Sequence, residues 1–176
     1  MDVFQAIEQR HCYRGEFRPD PVPRKDLTAI VEAGIKAPSG CNAQTTSFVV
    51  VDDPAIIAAI AGHVDRQVVR EAKAIIVCVV EHRQVYKELS FGAEDCAAAI
   101  ENMLLAITAL GYASVWIDGA LRVDDIAAKL GQLLKVPGNL QIRVILPIGR
   151  PAQAVTSREK LPFAKRAWFN AYGAAS

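Results

Sequence analysis

The stretch AKAIIVCVV, Ala72 to Val80, is apolar at every position except Lys73. A strand with one wet face alternates apolar and polar residues, and this run does not. It is also far shorter than the roughly 20 residues a membrane helix requires. The pattern predicts a central strand covered on both faces, and therefore a sheet with helices packed around it.

The flanking sequence supplies those elements. Residues 2–10 predict a short helix with Val3, Phe4 and Ile7 on one face. The proline-rich FRPDPVP ends it, and Pro23 opens a second helix over 24–36 with a stripe of Leu27, Ile30, Val31 and Ile35. The polar loop APSGCNAQTT leads to a strand, SFVVVD. Asp53-Pro54 reads as an N-cap and N1 pair opening a helix to about Ala61, with Gly62 as its stop. Beyond Val80, an alanine-rich helix is expected from about Phe91 to Leu110, capped by Gly111. A strand over Ala113–Ile117, a helix over 124–134 and a strand over Gln141–Ile148 complete the pattern. This order gives a three-layer or two-layer α/β arrangement with four main strands, in one domain spanning 1–176. The last 26 residues carry little regular pattern but hold Phe163, Trp168, Phe169 and Tyr172. A tail this aromatic is expected to pack on another surface, an identical subunit being the simplest.

Charge is balanced, with 20 Lys and Arg against 19 Asp and Glu. That excludes the electrostatic footprint of a general nucleic-acid or anionic-membrane binder, so any anion site must be local. The N-terminus, MDVFQAIEQR, begins with an acid and is amphipathic, unlike a secretory signal. Cys12, Cys41, Cys78 and Cys96 form no CxxC pair and no metal-ligand spacing, and read as reduced thiols in a cytoplasmic protein. His11, His63 and His82 match no metal motif. No GxGxxG follows a strand, and neither GxxxxGK[ST] nor GxSxG occurs. His11 and Cys12 are neighbours, a spacing that seldom aims both side chains at one reacting atom.

Four constellations remain: Arg10-His-Cys-Tyr-Arg14, Pro38-Ser-Gly-Cys-Asn-Ala-Gln44, Trp116-Ile-Asp-Gly119 and Arg158-Glu-Lys160. Each alone reads as ordinary surface: a charged helix end, a polar loop, an Asp-Gly turn, a charged tail. Their order and separation together resemble the FMN-dependent nitroreductase family over nearly the whole chain. That family begins with a helix ending in Arg-Arg-Ser-x-Arg-x-Phe, matched by Arg10, His11, Cys12, Arg14 and Phe17. It continues with Pro-Ser-x-x-Asn-x-Gln, matched by Pro38, Ser39, Asn42 and Gln44. An acid in an alanine-rich helix ending Ala-Leu-Gly follows, here Asp95 and Ala109-Leu110-Gly111. Asp118-Gly119 matches its acid-Gly turn, and Gly149, Pro151, Arg158 and Lys160 match its ending.

The resemblance implies a three-layer sandwich around a mixed sheet of about four strands, with the tail packed on a dimer partner. It implies that Arg10, Cys12 and Arg14, with Arg158 and Lys160, hold the phosphate and ribityl chain of FMN. His11 takes the family's second, often arginine, position. Pro38, Ser39, Gly40 and Asn42 correspond to the loop that covers the flavin of the partner subunit. Backbone groups of Asp118 and Gly119 correspond to those facing flavin N5. The pyrimidine edge falls to Arg66 or Gln67, just before the long apolar strand. The implied activity is ping-pong electron transfer from NADH or NADPH, through FMN, to a nitroaromatic, quinone or related small-molecule acceptor. Two alternatives stay open: a non-enzymatic flavin carrier or sensor, and a relative that uses flavin as substrate or removes halogen reductively. Two departures bear on these alternatives. Cys12 stands where serine is usual and gives a weaker hydrogen bond, and Thr45-Thr46 replaces a frequent Pro-Trp. The chain is also too short for much of the mid-chain insertion found in longer members.

Overall fold

The apolar run forms β2 (Ala74–Glu81), the second strand of a four-stranded sheet in the computed structural model, which describes residues 1–154 and 159–174. The other elements are α1 (Val3–Gln9), α2 (Arg24–Ile35), β1 (Thr46–Val51), α3 (Pro54–His63), α4 (Gln67–Arg70), α5 (Gly92–Ala109), β3 (Ala113–Ser114), α6 (Ile126–Leu133) and β4 (Leu140–Gly149). Strand order is β1-β2-β4-β3. Among the described residues every ladder is antiparallel, and the sheet is mixed only through a single parallel bridge from Cys12 to Ser114.

Both faces of β2 are covered, as its sequence requires. Ile75, Val77 and Val79 point into a core shared with Ile57 and Ile60 of α3, Val68 and Val69 of α4, and Leu130 of α6. Ala74, Ile76, Cys78 and Val80 point the other way, against Leu27 and Ile30 of α2 and Ile100, Met103 and Ile107 of α5. The result is helices, sheet, helices: three layers. Within the second core, a hydrogen bond with Cys96 and burial push the Cys78 thiol well above the ordinary thiol range, so it stays protonated and apolar.

Element limits follow local chemistry. Asp2 caps α1 by accepting from Gln5 N–H at 2.9 Å, and Asp53 caps α3 by accepting from Ala55 N–H at 2.7 Å. Gly111, at φ +77°, closes α5 with a Schellman pair, Tyr112 N–H to Ile107 O and Gly111 N–H to Thr108 O, both 3.0 Å. Gly62 does not end α3 as expected. It keeps helical backbone, and the stop comes at Val64, which turns into the core. Asp124 and Asp125 lie outside α6 in left-handed conformations, delaying its start to Ile126. The predicted strand over Ala113–Ile117 pairs only at Ala113, Ser114 and, by one bridge, Ile117. Continuing that register sets Val115 opposite Pro147, which has no N–H to donate.

Two predicted apolar surfaces are not buried by this chain. Val3, Phe4 and Ile7 of α1 are exposed, Phe4 at 79%, and so is Ile35 at the end of α2. In the tail, Phe163 packs on Phe169 and Trp168 on Tyr172, yet Leu161, Phe163, Phe169 and Tyr172 all remain exposed. Among the described residues, no helix is long and apolar enough to cross a membrane.

Candidate functional site

A cavity of about 430 Å³ opens beside the β3–β4 edge, lined by Arg14, Arg66, Gln67, Val68, Val115, Trp116, Ile117, Asp118, Gly119 and Ala120. Three sequence-distant segments converge here. One follows α1, one begins α4, and one runs from β3 into the 3-10 turn at Gly119–Arg122. The wall from Val115 to Ile117, with Val68 and Ala120, is apolar, which suits a flat aromatic ligand. Arg14 and Arg66 stand at the same cavity, and neither guanidinium has an ion-pair or hydrogen-bond partner among the described residues. Two arginine forks without internal partners are chemically suited to receive an anion.

Asp118 does not oppose them. Its carboxylate accepts from Arg122, with the Nη2–Oδ2 contact at 2.8 Å, and from Arg143 Nη1 at 2.7 Å. Arg143 reaches it because the β2–β4 register slips between Cys78 and Val79, leaving Arg143 as the bulged residue. With the acid neutralised, the backbone is what the turn presents to the cavity. Gly119 N–H has no partner among the described residues, and a Cβ at Gly119 would meet open space.

The segment after α1 is fastened to the sheet. Tyr13 N–H donates to Ser114 O at 2.8 Å, and Tyr13 and Phe17 are buried with ring centroids 5.4 Å apart. Glu71 joins this segment to α4, accepting from Phe17 N–H at 3.3 Å and from Gln67 Nε2 at 2.8 Å. That contact fixes Gln67 at the cavity, while Arg66, at the N-cap of α4, stays free to turn.

The loop Pro38–Gln44 is built with unusual backbone. Cys41, Asn42 and Gln44 all have φ between 51° and 55°, a region costing an L-residue roughly 1–2 kcal/mol. Asp95, buried on α5, accepts from Gly40 N–H and from Thr45 Oγ1, each at 2.7 Å. Ser39 Oγ accepts from Gln44 N–H at 3.0 Å. Gly40 is required where it stands, because a Cβ there would lie 2.3 Å from the Phe91 ring.

Comparison with known proteins fits this geometry. The family model described as Nitroreductase family matches residues 7–89 and, in a second overlapping match, 58–150. The chain belongs to the nitroreductase family. A Methanothermobacter thermautotrophicus protein described as a candidate NADH dehydrogenase/NAD(P)H nitroreductase is 29% identical over 161 residues, 90% of this chain and 82% of that one. A candidate nitroreductase of Desulfovibrio desulfuricans, solved in complex with FMN, is 34% identical with a TM-score of 0.77, covering 92% of this chain and 93% of that one. The fold is also that of a Parabacteroides distasonis structure, at TM-score 0.84 and 23% identity, covering 97% and 98% of the two chains. Nitroreductase membership makes the chain an oxidoreductase.

As a nitroreductase, the chain brings Arg14, Arg66, Gln67, Asp118 and Gly119 to one cavity, but not the other expected residues. Arg10 is paired with Glu101 of α5 at 3.0 Å. Cys12 is exposed, its backbone bridged to Ser114. Both ring nitrogens of His11 are buried without a partner among the described residues. Lys160 lies on the exposed tail, and Arg158 falls outside the described residues. Pro38, Ser39, Gly40 and Asn42 sit at the opposite corner of the sheet. Their loop joins β1, three strand spacings or roughly 14 Å from β3, at the Val80 end of β2. Cys12 lies one step further, near the Ala74 end. Sequence reasoning gave no role to Glu71, Arg122, Arg143 or Asp95. Of these only Asp95 was marked by the sequence, as the match to the family's acid in the alanine-rich helix.

Proposed function

We propose that this nitroreductase is a cytoplasmic, homodimeric FMN-dependent NAD(P)H oxidoreductase, a single flavin-binding domain over 1–176 that reduces nitroaromatic, quinone or related small acceptors. The observation that carries the reading is the cavity itself: an apolar wall, unpaired Arg14 and Arg66, and a free Gly119 N–H, in a chain 34% identical to a relative solved with FMN. Those donors fit the group. Arg14, with Arg10, Cys12, Arg158 and Lys160, would hold the phosphate end, with His11 between Arg10 and Cys12 in the sequence. Gln67, braced by Glu71, and Arg66 would meet the pyrimidine edge, where a cation stabilises negative charge developing at N1 and C2=O. Gly119 N–H would face N5.

Bound there, FMN would supply the redox chemistry between the nicotinamide and the acceptor. The chain's own task is then orientation and charge, and it needs no side-chain nucleophile. A second copy completes the site. In one chain the Pro38–Asn42 loop lies across the sheet from the cavity, while α1 and the tail leave apolar faces uncovered.

Two measurements test this. Steady-state assays with NADH or NADPH, varied against a nitroaromatic and a quinone, are expected to give parallel double-reciprocal lines. No nicotinamide oxidation above that of free FMN contradicts the enzymatic reading. Light scattering is expected to give twice the 19.1 kDa chain mass, and a monomer with full flavin occupancy contradicts the shared site.

A further inference from the structure

We propose that Asp95 is a positioning residue for the cofactor: from α5 it sets the Pro38–Thr45 loop of its own subunit in the shape that closes the flavin site of the other. The proposal rests on the reading of that site as an FMN cradle shared between two copies.

Asp95 is 5% exposed, and no Lys, Arg or His among the described residues pairs with it. A buried carboxylate without a cation is costly unless its oxygens are fully used by donors. Here one oxygen takes Gly40 N–H and the other Thr45 Oγ1, both at 2.7 Å. These two contacts bracket the loop at its start and end. Between them lie Cys41, Asn42 and Gln44, each held at positive φ. The loop's other bonds are mostly local: Asn42 N–H donates to Ser39 O at 2.9 Å and Ala43 N–H to Gly40 O at 3.0 Å in a single 3-10 turn, and Gln44 N–H donates to Ser39 Oγ. From outside it, the Arg83 guanidinium donates to Ala43 O at 2.8 Å and Glu81 N–H to Thr45 O at 2.9 Å.

Packing alone does not call for an acid at 95. Its neighbours on the buried face of α5 are Cys96, Ala99 and Ile100, and an apolar residue would seat there with less desolvation. What an apolar residue cannot do is accept two hydrogen bonds from the loop. The carboxylate therefore serves the loop's shape and not the core.

The test uses the full-length dimer. Asp95→Ala is expected to weaken FMN binding about tenfold or more, and Thr45→Val, which keeps side-chain shape and removes one donor, by a few-fold. Asp95→Asn is expected to stay within about threefold of wild type, since its carbonyl accepts from Gly40 and its amide donates to Thr45 Oγ1. Amide hydrogen exchange, measured without FMN, is expected to speed up at Gly40 in Asp95→Ala and to be restored in Asp95→Asn. Wild-type FMN affinity in Asp95→Ala or Thr45→Val, or an Asp95→Asn as weak as Asp95→Ala, overturns the positioning role. A wild-type protein that itself fails to bind FMN removes the cradle reading, and this role with it, even if the exchange pattern at Gly40 holds.

Discussion

Replacing Arg14 and Lys160 together with alanine is expected to weaken FMN binding by about 3–6 kcal/mol, because each charge-assisted contact contributes roughly 1.5–3 kcal/mol. Arg14 borders the cavity without an ion-pair partner among the described residues, so its loss breaks no ion pair there. Lys160 lies on a tail whose large apolar residues are exposed in the single chain, and in the proposed dimer it would contribute once that tail docks on a second copy. Fluorescence titration of the apoprotein measures both single variants and the double. The loss is expected to shrink as salt rises, since screening weakens exposed charge pairs. An unchanged affinity in the double variant would sink the phosphate role. A loss confined to Arg14→Ala would remove Lys160 from the site.

Ile75→Ala and Ile76→Ala are each expected to destabilise the protein by about 2–5 kcal/mol. Both side chains are fully buried, and they point to opposite sides of β2, Ile75 toward α3 and α4, Ile76 toward α2 and α5. Two large losses at consecutive positions mark a strand covered on both faces. Urea denaturation of each variant reads the effect as a shifted midpoint at unchanged slope. One large and one negligible loss contradicts the three-layer arrangement.

The fold was legible where burial is periodic or unbroken. Ala74–Val80 declared a two-sided strand, and the α5 stripe of Ile100, Met103 and Ile107 declared its face. What escaped were features set by non-local chemistry. The Ala113–Ile117 strand breaks because register places Pro147 beside Val115, which no window around 115 contains. Gln67–Arg70 is a single turn of helix, too short to show a period, and its buried Val68 and Val69 looked like part of the approach to β2.

The site divided in the same way. Arg14, Asp118 and Gly119 stand in motifs whose order the family shares, and Arg66 or Gln67 was an unresolved choice just before β2; all five line one cavity. Their supports were not legible in the sequence. Arg143 reaches Asp118 through a bulge, and Glu71 joins Gln67 to Phe17 across 54 positions of sequence. The three cations near the end of α1 also differ in kind: Arg10 is engaged by Glu101, while among the described residues the buried ring nitrogens of His11 have no partner and Arg14 is unpaired at the cavity. Of the residues expected at the phosphate, Arg14 is the one that lines this cavity.

The central claim is that this nitroreductase carries FMN, and the visible spectrum of the purified protein tests it most directly. A yellow protein is expected, with flavin absorption that bleaches on anaerobic addition of NADH or NADPH and returns when a quinone is added. A colourless protein whose melting temperature is unmoved by added FMN contradicts the account.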